Sequence, residues 1–321
     1  MKKEAAVLLA ALAAASAVFS GGIQNTAVYA EEKTSTMEEV LYVSETTKAE
    51  NGQDQEAALA SSLQTPHALV MEVSTGKVLF EKNADEKLHP ASVTKIMTVL
   101  LIFEALDQGK LSLEQEVATS AHAKSMGGSQ VFLEEGEVQT VDTLLKCIII
   151  ASGNDASVAM AEQIAGSEEA FVAMMNERAA QLGMKNTHFV NTTGLHDREH
   201  YSTVEDISVL LQYALKNESF REALSSRWHS VQASAQHPEG FTFYSTMFQH
   251  MDSASVTGGE ILGGKTGYTK EAGLCLASLA QIHGKEYILV TAKADGSHET
   301  EPYHILDAVN VYKRVGEKME V

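Results

Sequence analysis

Only two cysteines, Cys147 and Cys275, occur in 321 residues, so no disulfide framework supports the fold, and both read as buried thiols. Basic residues are outnumbered: 24 Lys and Arg face 43 Asp and Glu, a formal charge of −19. That balance excludes nucleic-acid binding and electrostatic adhesion to anionic membranes. Arginine is missing from the whole stretch between Arg227 and Arg314. The longest apolar run, Ala5 to Phe19, falls short of the ~20 residues that a membrane span needs. It follows Lys2 and Lys3 and precedes the small-residue site Val28-Tyr29-Ala30, the pattern of a secretory signal over residues 1–30. The expectation is an exported protein, secreted or on the outer face of the cytoplasmic membrane.

Residues 31–60 are rich in Glu, Thr and Ser without apolar periodicity and read as a disordered acidic linker. Residues 61–321 are expected to form one catalytic domain with no separate C-terminal β domain. Two apolar runs, His67 to Val73 and Lys77 to Glu81, form a hairpin around Ser74-Thr75-Gly76. A helix begins at Ser92 and ends near Gly109, and helical stripes dominate from Leu111 to about Val231. Among them are Ser167 to Leu182 and the capped helix opening at Ser202-Thr203-Val204-Glu205. Strand grammar returns over about Phe241 to Phe248, Glu260 to Thr266, Leu274 to Ile282 and Tyr287 to Ala292. A last stripe of Ile305, Leu306, Val309, Tyr312 and Val315 reads as a helix packed on the sheet. Strands at both ends with helices between define an α+β class: an antiparallel sheet built from both chain ends, flanked by helices, with a mainly helical lobe inserted. The cleft between sheet and lobe is the natural site.

The stretch His89-Pro90-Ala91-Ser92-Val93-Thr94-Lys95 carries the chemistry. Three residues apart in a helix, Ser92 and Lys95 share a face, so the amine can take the hydroxyl's proton. In the first turn, backbone N–H groups without intrahelical acceptors favour an oxyanion. The apolar continuation Ile96 to Phe103 marks a buried, rigid mount. A second copy of the spacing, Ser74 to Lys77, falls on the hairpin turn and carries nothing. Two further motifs follow in order, Ser152-Gly153-Asn154 at a helix-to-helix turn and Lys265-Thr266-Gly267 on a strand; each occurs once. Such a trio is a known signature of penicillin-binding proteins and class A β-lactamases.

Longer runs sharpen the comparison: Pro90 to Thr98, Ser152 to Ala156, Phe189 to Leu195, His200 to Thr203 and Gly264 to Thr269. From about His67 to Tyr312 the chain resembles the low-molecular-mass penicillin-binding proteins that act as serine-type D-alanyl-D-alanine carboxypeptidases, on a β-lactamase/transpeptidase-like fold. The resemblance implies that Ser92 attacks the D-Ala-D-Ala peptide bond of peptidoglycan stem peptides with Lys95 as general base. Lys95 must then be neutral, through desolvation and the nearby Lys265. Ser152, linked to Lys265, relays the proton to the leaving D-alanine, while Asn154 holds Lys95 and the substrate amide. Lys265, Thr266 and Thr269 grip the terminal carboxylate. The backbone N–H groups of Ser92 and Tyr268, beside Gly267, form the oxyanion hole. β-Lactams are implied as covalent inhibitors; no cofactor and no metal are implied.

Some relatives use an arginine late in the domain for the carboxylate. None stands there in this chain, which leaves Lys265 and the threonines, with His298 or His304 as lesser candidates. Many relatives also carry a further β domain and a membrane-binding helix, so membrane association is left open here. Alternatives are a class A-like β-lactamase, disfavoured because no Glu-x-x-Leu-Asn occurs, and an idle penicillin- or muropeptide-binding domain. His196-Asp197-Arg198-Glu199-His200 spaces two histidines as metal ligands on a helix would be, but reads as a loop without a third ligand. Gly127-Gly128-Ser129-Gln130 reads as a turn that can line the cleft, and Trp228 as a packing residue.

Overall fold

The structure, a computed structural model, describes residues 57–231 and 237–319. The expected signal sequence and the expected acidic linker up to residue 56 lie outside the described residues. The chain divides into two units, Met1–Ser61 and Ser62–Val321. Of the first, only residues 57–61 are described, and they are helical, including the last four residues, 57–60, of the linker expected to be disordered.

The second unit holds a six-stranded antiparallel sheet in the order β2-β1-β10-β9-β8-β7. Its strands are β1 (His67–Glu72), β2 (Val78–Lys82), β7 (Ser255–Val256), β8 (Gly259–Thr269), β9 (Gly273–Ile282) and β10 (Lys285–Ala294). β1 pairs with β10, so the two ends of the chain build one sheet, as the distribution of strand-forming runs predicts. Every residue of β1 is buried, because helices cover both faces of the sheet.

The helices are α1 (Lys95–Asp107), α2 (Ala121–Lys124), α3 (Val141–Ile150), α4 (Asn154–Ala165), α5 (Glu168–Gln181), α6 (Val204–Ala214), α7 (Glu218–Ser225) and α8 (Tyr303–Met319). α6 packs on β1 and β10, and α8 packs on β9 and β10. α1 is the axle of the helical lobe: Ile96 through Phe103 are all buried, against α3 to α7. A helix apolar on every side has no solvent face to turn outward.

Some expectations are corrected. The strand expected over Phe241 to Phe248 is shorter, β6 (Phe241–Tyr244); it pairs with β5 (Trp228–Val231) in a separate hairpin and gives way to a 3₁₀ turn, Phe248–His250. A second small pair, β3 (Glu116–Ala118) with β4 (Val138–Thr140), interrupts the stretch expected to be helical; three residues are too few to show alternation. β8 runs on to Thr269 and so carries all of Lys265-Thr266-Gly267. The packed stripe of α8 is Ile305, Ala308, Val311 and Tyr312, while Leu306 faces outward. Tyr312 donates from its hydroxyl to the carbonyl of Ser278, anchoring α8 on β9. Trp228, expected to pack, is 60% exposed.

Candidate active site

The approach to Ser92 is strained. Ala91 has φ 47°, a left-handed value that costs about 1–3 kcal/mol for a residue with a side chain. Ala91–Thr94 then form a 3₁₀ turn that leads into α1 at Lys95. The tighter turn keeps residues 92 and 95 nearly eclipsed, and Lys95 Nζ lies 3.0 Å from Ser92 Oγ. The turn rests on three other segments. Thr94 Oγ1 meets His200 Nε2 at 2.8 Å, and Thr98 Oγ1 donates to Thr192 O. Gly267 of β8 passes beneath: a Cβ there would lie 2.9 Å from Ser92 N and 3.0 Å from Pro90 O, so only glycine lets strand and turn approach this closely.

Lys95 is fully buried. Its other two contacts are Asn154 Oδ1 at 2.6 Å and the Thr193 carbonyl at 2.8 Å. Both are oxygens that only accept, so each takes one N–H. A neutral amine has two N–H and one lone pair, and the lone pair is then left for the Ser92 hydroxyl. The electrostatics agree: burial, then the charge of Lys265, hold the Lys95 pKa well below the ordinary lysine value. Asp155 pulls the other way as the smaller influence.

Lys265, also fully buried, donates to Ser152 Oγ at 2.9 Å and to the Thr266 carbonyl at 2.8 Å. Burial lowers its pKa to about 7. Ser152 sits at φ 64° in the bend between α3 and α4. Asn154 opens α4, and its Nδ2 donates to Gly127 O while its backbone N–H donates to Ser129 O. The Gly-Gly-Ser turn is thereby fastened to the site. Asp155 fastens the next stretch, accepting from the backbone N–H groups of Val131 and Leu133.

Above these groups opens a cleft of about 340 Å³. Ser92, Ser129, Ser152, Thr266, Gly267 and Tyr268 line it. Of the sequence candidates, Ser92, Ser152, Thr266, Gly267 and Tyr268 thus meet at the surface of the cleft, and Lys95, Asn154 and Lys265 are buried behind it. Thr269 is not among the lining residues: at the end of β8, its Oγ1 accepts from Ala272 N and closes the β8–β9 turn. His298 and His304 do line the cleft, and the His298 ring meets Tyr268 edge-on at 4.8 Å.

Four contributors were not legible in the sequence. Thr193 acts through a carbonyl, which no side chain advertises. Thr246, within the stretch expected as strand but past the end of β6, reaches Thr266 Oγ1 at 2.6 Å. Gln249 and His250 follow it into the cleft wall. The two histidines of His196-Asp197-Arg198-Glu199-His200 do not converge. His200 is buried, with Nδ1 accepting from Val190 N and Nε2 at Thr94, whereas His196 is exposed and packs edge-on against His89.

A sheet made from both chain ends, a helical lobe and a serine–lysine turn in the cleft between them form the architecture shared by penicillin-binding proteins and their β-lactamase-like relatives. The chain belongs to the D-alanyl-D-alanine carboxypeptidase family, Peptidase_S11, whose family model matches residues 52–296. It is 45% identical over 232 residues to D-alanyl-D-alanine carboxypeptidase DacF of Bacillus subtilis, a match covering 72% of this chain and 58% of that relative. Further carboxypeptidase relatives are matched over 37% to 59% of their lengths. Among solved structures, the Streptomyces K15 DD-transpeptidase superposes with a TM-score of 0.69 at 25% identity, over 79% of this chain and 98% of that one. Penicillin-binding protein D2 of Listeria monocytogenes, in its ampicillin-bound form, superposes with a TM-score of 0.67 at 26% identity, over 80% of this chain and 98% of that one.

Proposed function

We propose that this chain is a serine D-alanyl-D-alanine carboxypeptidase that removes the terminal D-alanine from peptidoglycan stem peptides through an acyl-enzyme on Ser92. The observation that carries the reading is the set of contacts around Lys95: two obligate acceptors and one hydroxyl about a buried amine. Ser92 Oγ attacks the carbonyl carbon of the penultimate D-alanine and passes its proton to the Lys95 lone pair. The developing oxyanion is met by the backbone N–H groups of Ser92 and Tyr268; losing one such donor costs about 2.7–4 kcal/mol in the barrier. Ser152, held by Lys265, hands its hydroxyl proton to the departing amine and is reprotonated from Lys95, which is thereby left neutral again. Lys265 and Thr266 hold the terminal carboxylate, and that charge raises the Lys265 pKa, so substrate entry keeps the ammonium protonated beside Lys95. Water, activated by Lys95, then releases the acyl group.

A β-lactam presents a comparable carbonyl and carboxylate, so it acylates Ser92 and leaves slowly. Residues 61–321 form the catalytic domain, and residues 1–30 direct export to the wall, where the substrate is. The test is tagging with a fluorescent penicillin together with D-alanine release from a D-Ala-D-Ala peptide. Wild type is tagged and releases D-alanine; Ser92→Ala does neither, and Lys95→Ala is tagged about 10²–10⁴ times more slowly. Equal tagging of Ser92→Ala overturns the reading. Tagging without D-alanine release leaves an idle binding domain, and rapid penicillin turnover makes it a β-lactamase.

A further inference from the structure

The β5–β6 hairpin has two unlike faces. His229, Val231, Phe241 and Phe243 point inward: Phe243 belongs to the hydrophobic core, Val231 and Phe241 pack against it, and the His229 and Phe243 rings lie 5.5 Å apart. Trp228, Ser230, Thr242 and Tyr244 occupy the alternate positions on the other face. Trp228 and Tyr244 are directly opposed across the strands, yet they are 60% and 52% exposed. Beside them Ser230 Oγ meets Thr242 Oγ1 at 2.6 Å. Burial of the hairpin therefore does not require the two rings; the inward face provides it. Two aromatic rings beside a pair of hydroxyls, with no charged side chain among the four, form an unusual patch on a protein of net charge −19.

The turn that follows the patch reaches the cleft: Thr246, two residues after Tyr244 in the chain, lines the cleft and bonds Thr266. We infer that this face binds an uncharged β-linked N-acetylhexosamine chain, the glycan to which a stem peptide in the cleft is attached. The inference rests on the proposed function for its choice of sugar. Pyranose rings present an apolar C–H face that stacks on an aromatic ring, with hydroxyl and amide groups at the edge. Trp228 and Tyr244 supply the stacking faces, and Ser230, Thr242, the indole N–H and the phenol O–H supply donors and acceptors at the rim. Lack of charge in the patch matches a neutral polymer and gives an anionic membrane nothing to hold.

Trp228 is the chain's sole tryptophan, so its emission reports on this face alone. The full chain is titrated with the N-acetylglucosamine hexamer, with maltohexaose and with anionic phosphatidylglycerol vesicles. A saturable blue shift with the first and none with the other two is expected. No response to the N-acetylglucosamine hexamer, or a response only to vesicles, overturns the inference. In parallel, D-alanine release is measured from a free peptide and from glycan-linked stem peptide. Trp228→Ala and Tyr244→Ala should leave the free-peptide rate unchanged and raise KM for the glycan-linked substrate about three- to tenfold at unchanged kcat, with Trp228→Phe retaining most of the affinity. Equal KM values for glycan-linked substrate in wild type and both alanine variants overturn the inference. Because fluorescence binding is read without turnover, a failed carboxypeptidase reading leaves the hexamer titration intact, and the two failures are told apart.

Discussion

At the scale of single residues, the site holds two buried lysines, both with lowered pKa values. Lys95 is tuned down by burial and by Lys265; Lys265 is lowered to about 7 by burial alone. For a carboxylate-bearing substrate, kcat/KM should therefore be bell-shaped. Its acid limb is the protonation of Lys95, and its alkaline limb, beginning near pH 7, is the loss of the Lys265 proton in the free enzyme. The bound carboxylate raises the Lys265 pKa, so the alkaline limb of kcat should lie at higher pH than that of kcat/KM. Lys265→Arg, which stays protonated, should remove the limb near 7 from whatever activity remains. Measured pH–rate profiles of both proteins check this; coincident alkaline limbs in kcat and kcat/KM would contradict it. Ser92, Lys95, Ser152, Asn154 and Lys265 were all readable from three short motifs, because their chemistry lies in their side chains. Thr193 was not readable, because its contribution is a main-chain carbonyl whose position is set by the path of the chain from Phe189 to Ser202.

At the scale of elements, the serine turn and β8 are held together by contacts too close for any side chain. Gly267→Ala places a methyl group within 3.0 Å of Ser92 N and Pro90 O, and neither backbone atom can yield without moving the nucleophile. We expect a stability loss of about 1–3 kcal/mol, read as a lowered denaturant midpoint, with acylation by fluorescent penicillin slowed by more than that loss explains. A variant as stable as wild type and tagged at the same rate would show that β8 does not position the turn. Gly194, at φ 82°, makes a comparable approach to the Ala91 carbonyl from the segment carrying Thr193. Among elements, the long ones were legible: α1 from its unbroken apolar run, β8 to β10 from their residue types. The hairpin of β5 and β6 was not, because four-residue strands carry too little alternation to show which partner they will find, and Phe241 to Phe248 reads equally well as one strand.

For the molecule as a whole, acid sensitivity should run through the floor beneath the site. His200 has its pKa lowered to about 4, chiefly by burial, and accepts from Val190 N through Nδ1, which a second ring proton would displace. The unfolded chain takes up that proton near 6.5 and the folded one near 4, so between these values the unfolded state binds more protons. Stability is then fully present above 6.5 and declines as pH falls to 4, by up to about 3 kcal/mol. His304, likewise lowered to about 4, acts in the same direction. Urea midpoints measured at pH 7 and pH 4.5 should differ less in His200→Gln than in wild type, although that variant is less stable at pH 7. An unchanged difference would place the acid sensitivity elsewhere.

The sequence alone determined which atoms can do chemistry and which of them are neighbours along a helix. Ser92 and Lys95 are three residues apart, so helical geometry brings them together wherever the helix lies. It also determined that both chain ends supply the sheet, since strand-forming runs occur only there at length. Tertiary structure decided the rest. That the Lys95 pKa is held low follows from complete burial and from Lys265, which is 170 residues away in the chain and close only because β8 passes under the serine turn. That Thr269 serves a turn and Trp228 faces solvent was decided in the same way. Desolvation and exposure are properties of what surrounds a residue, and the surroundings exist only once distant segments have packed.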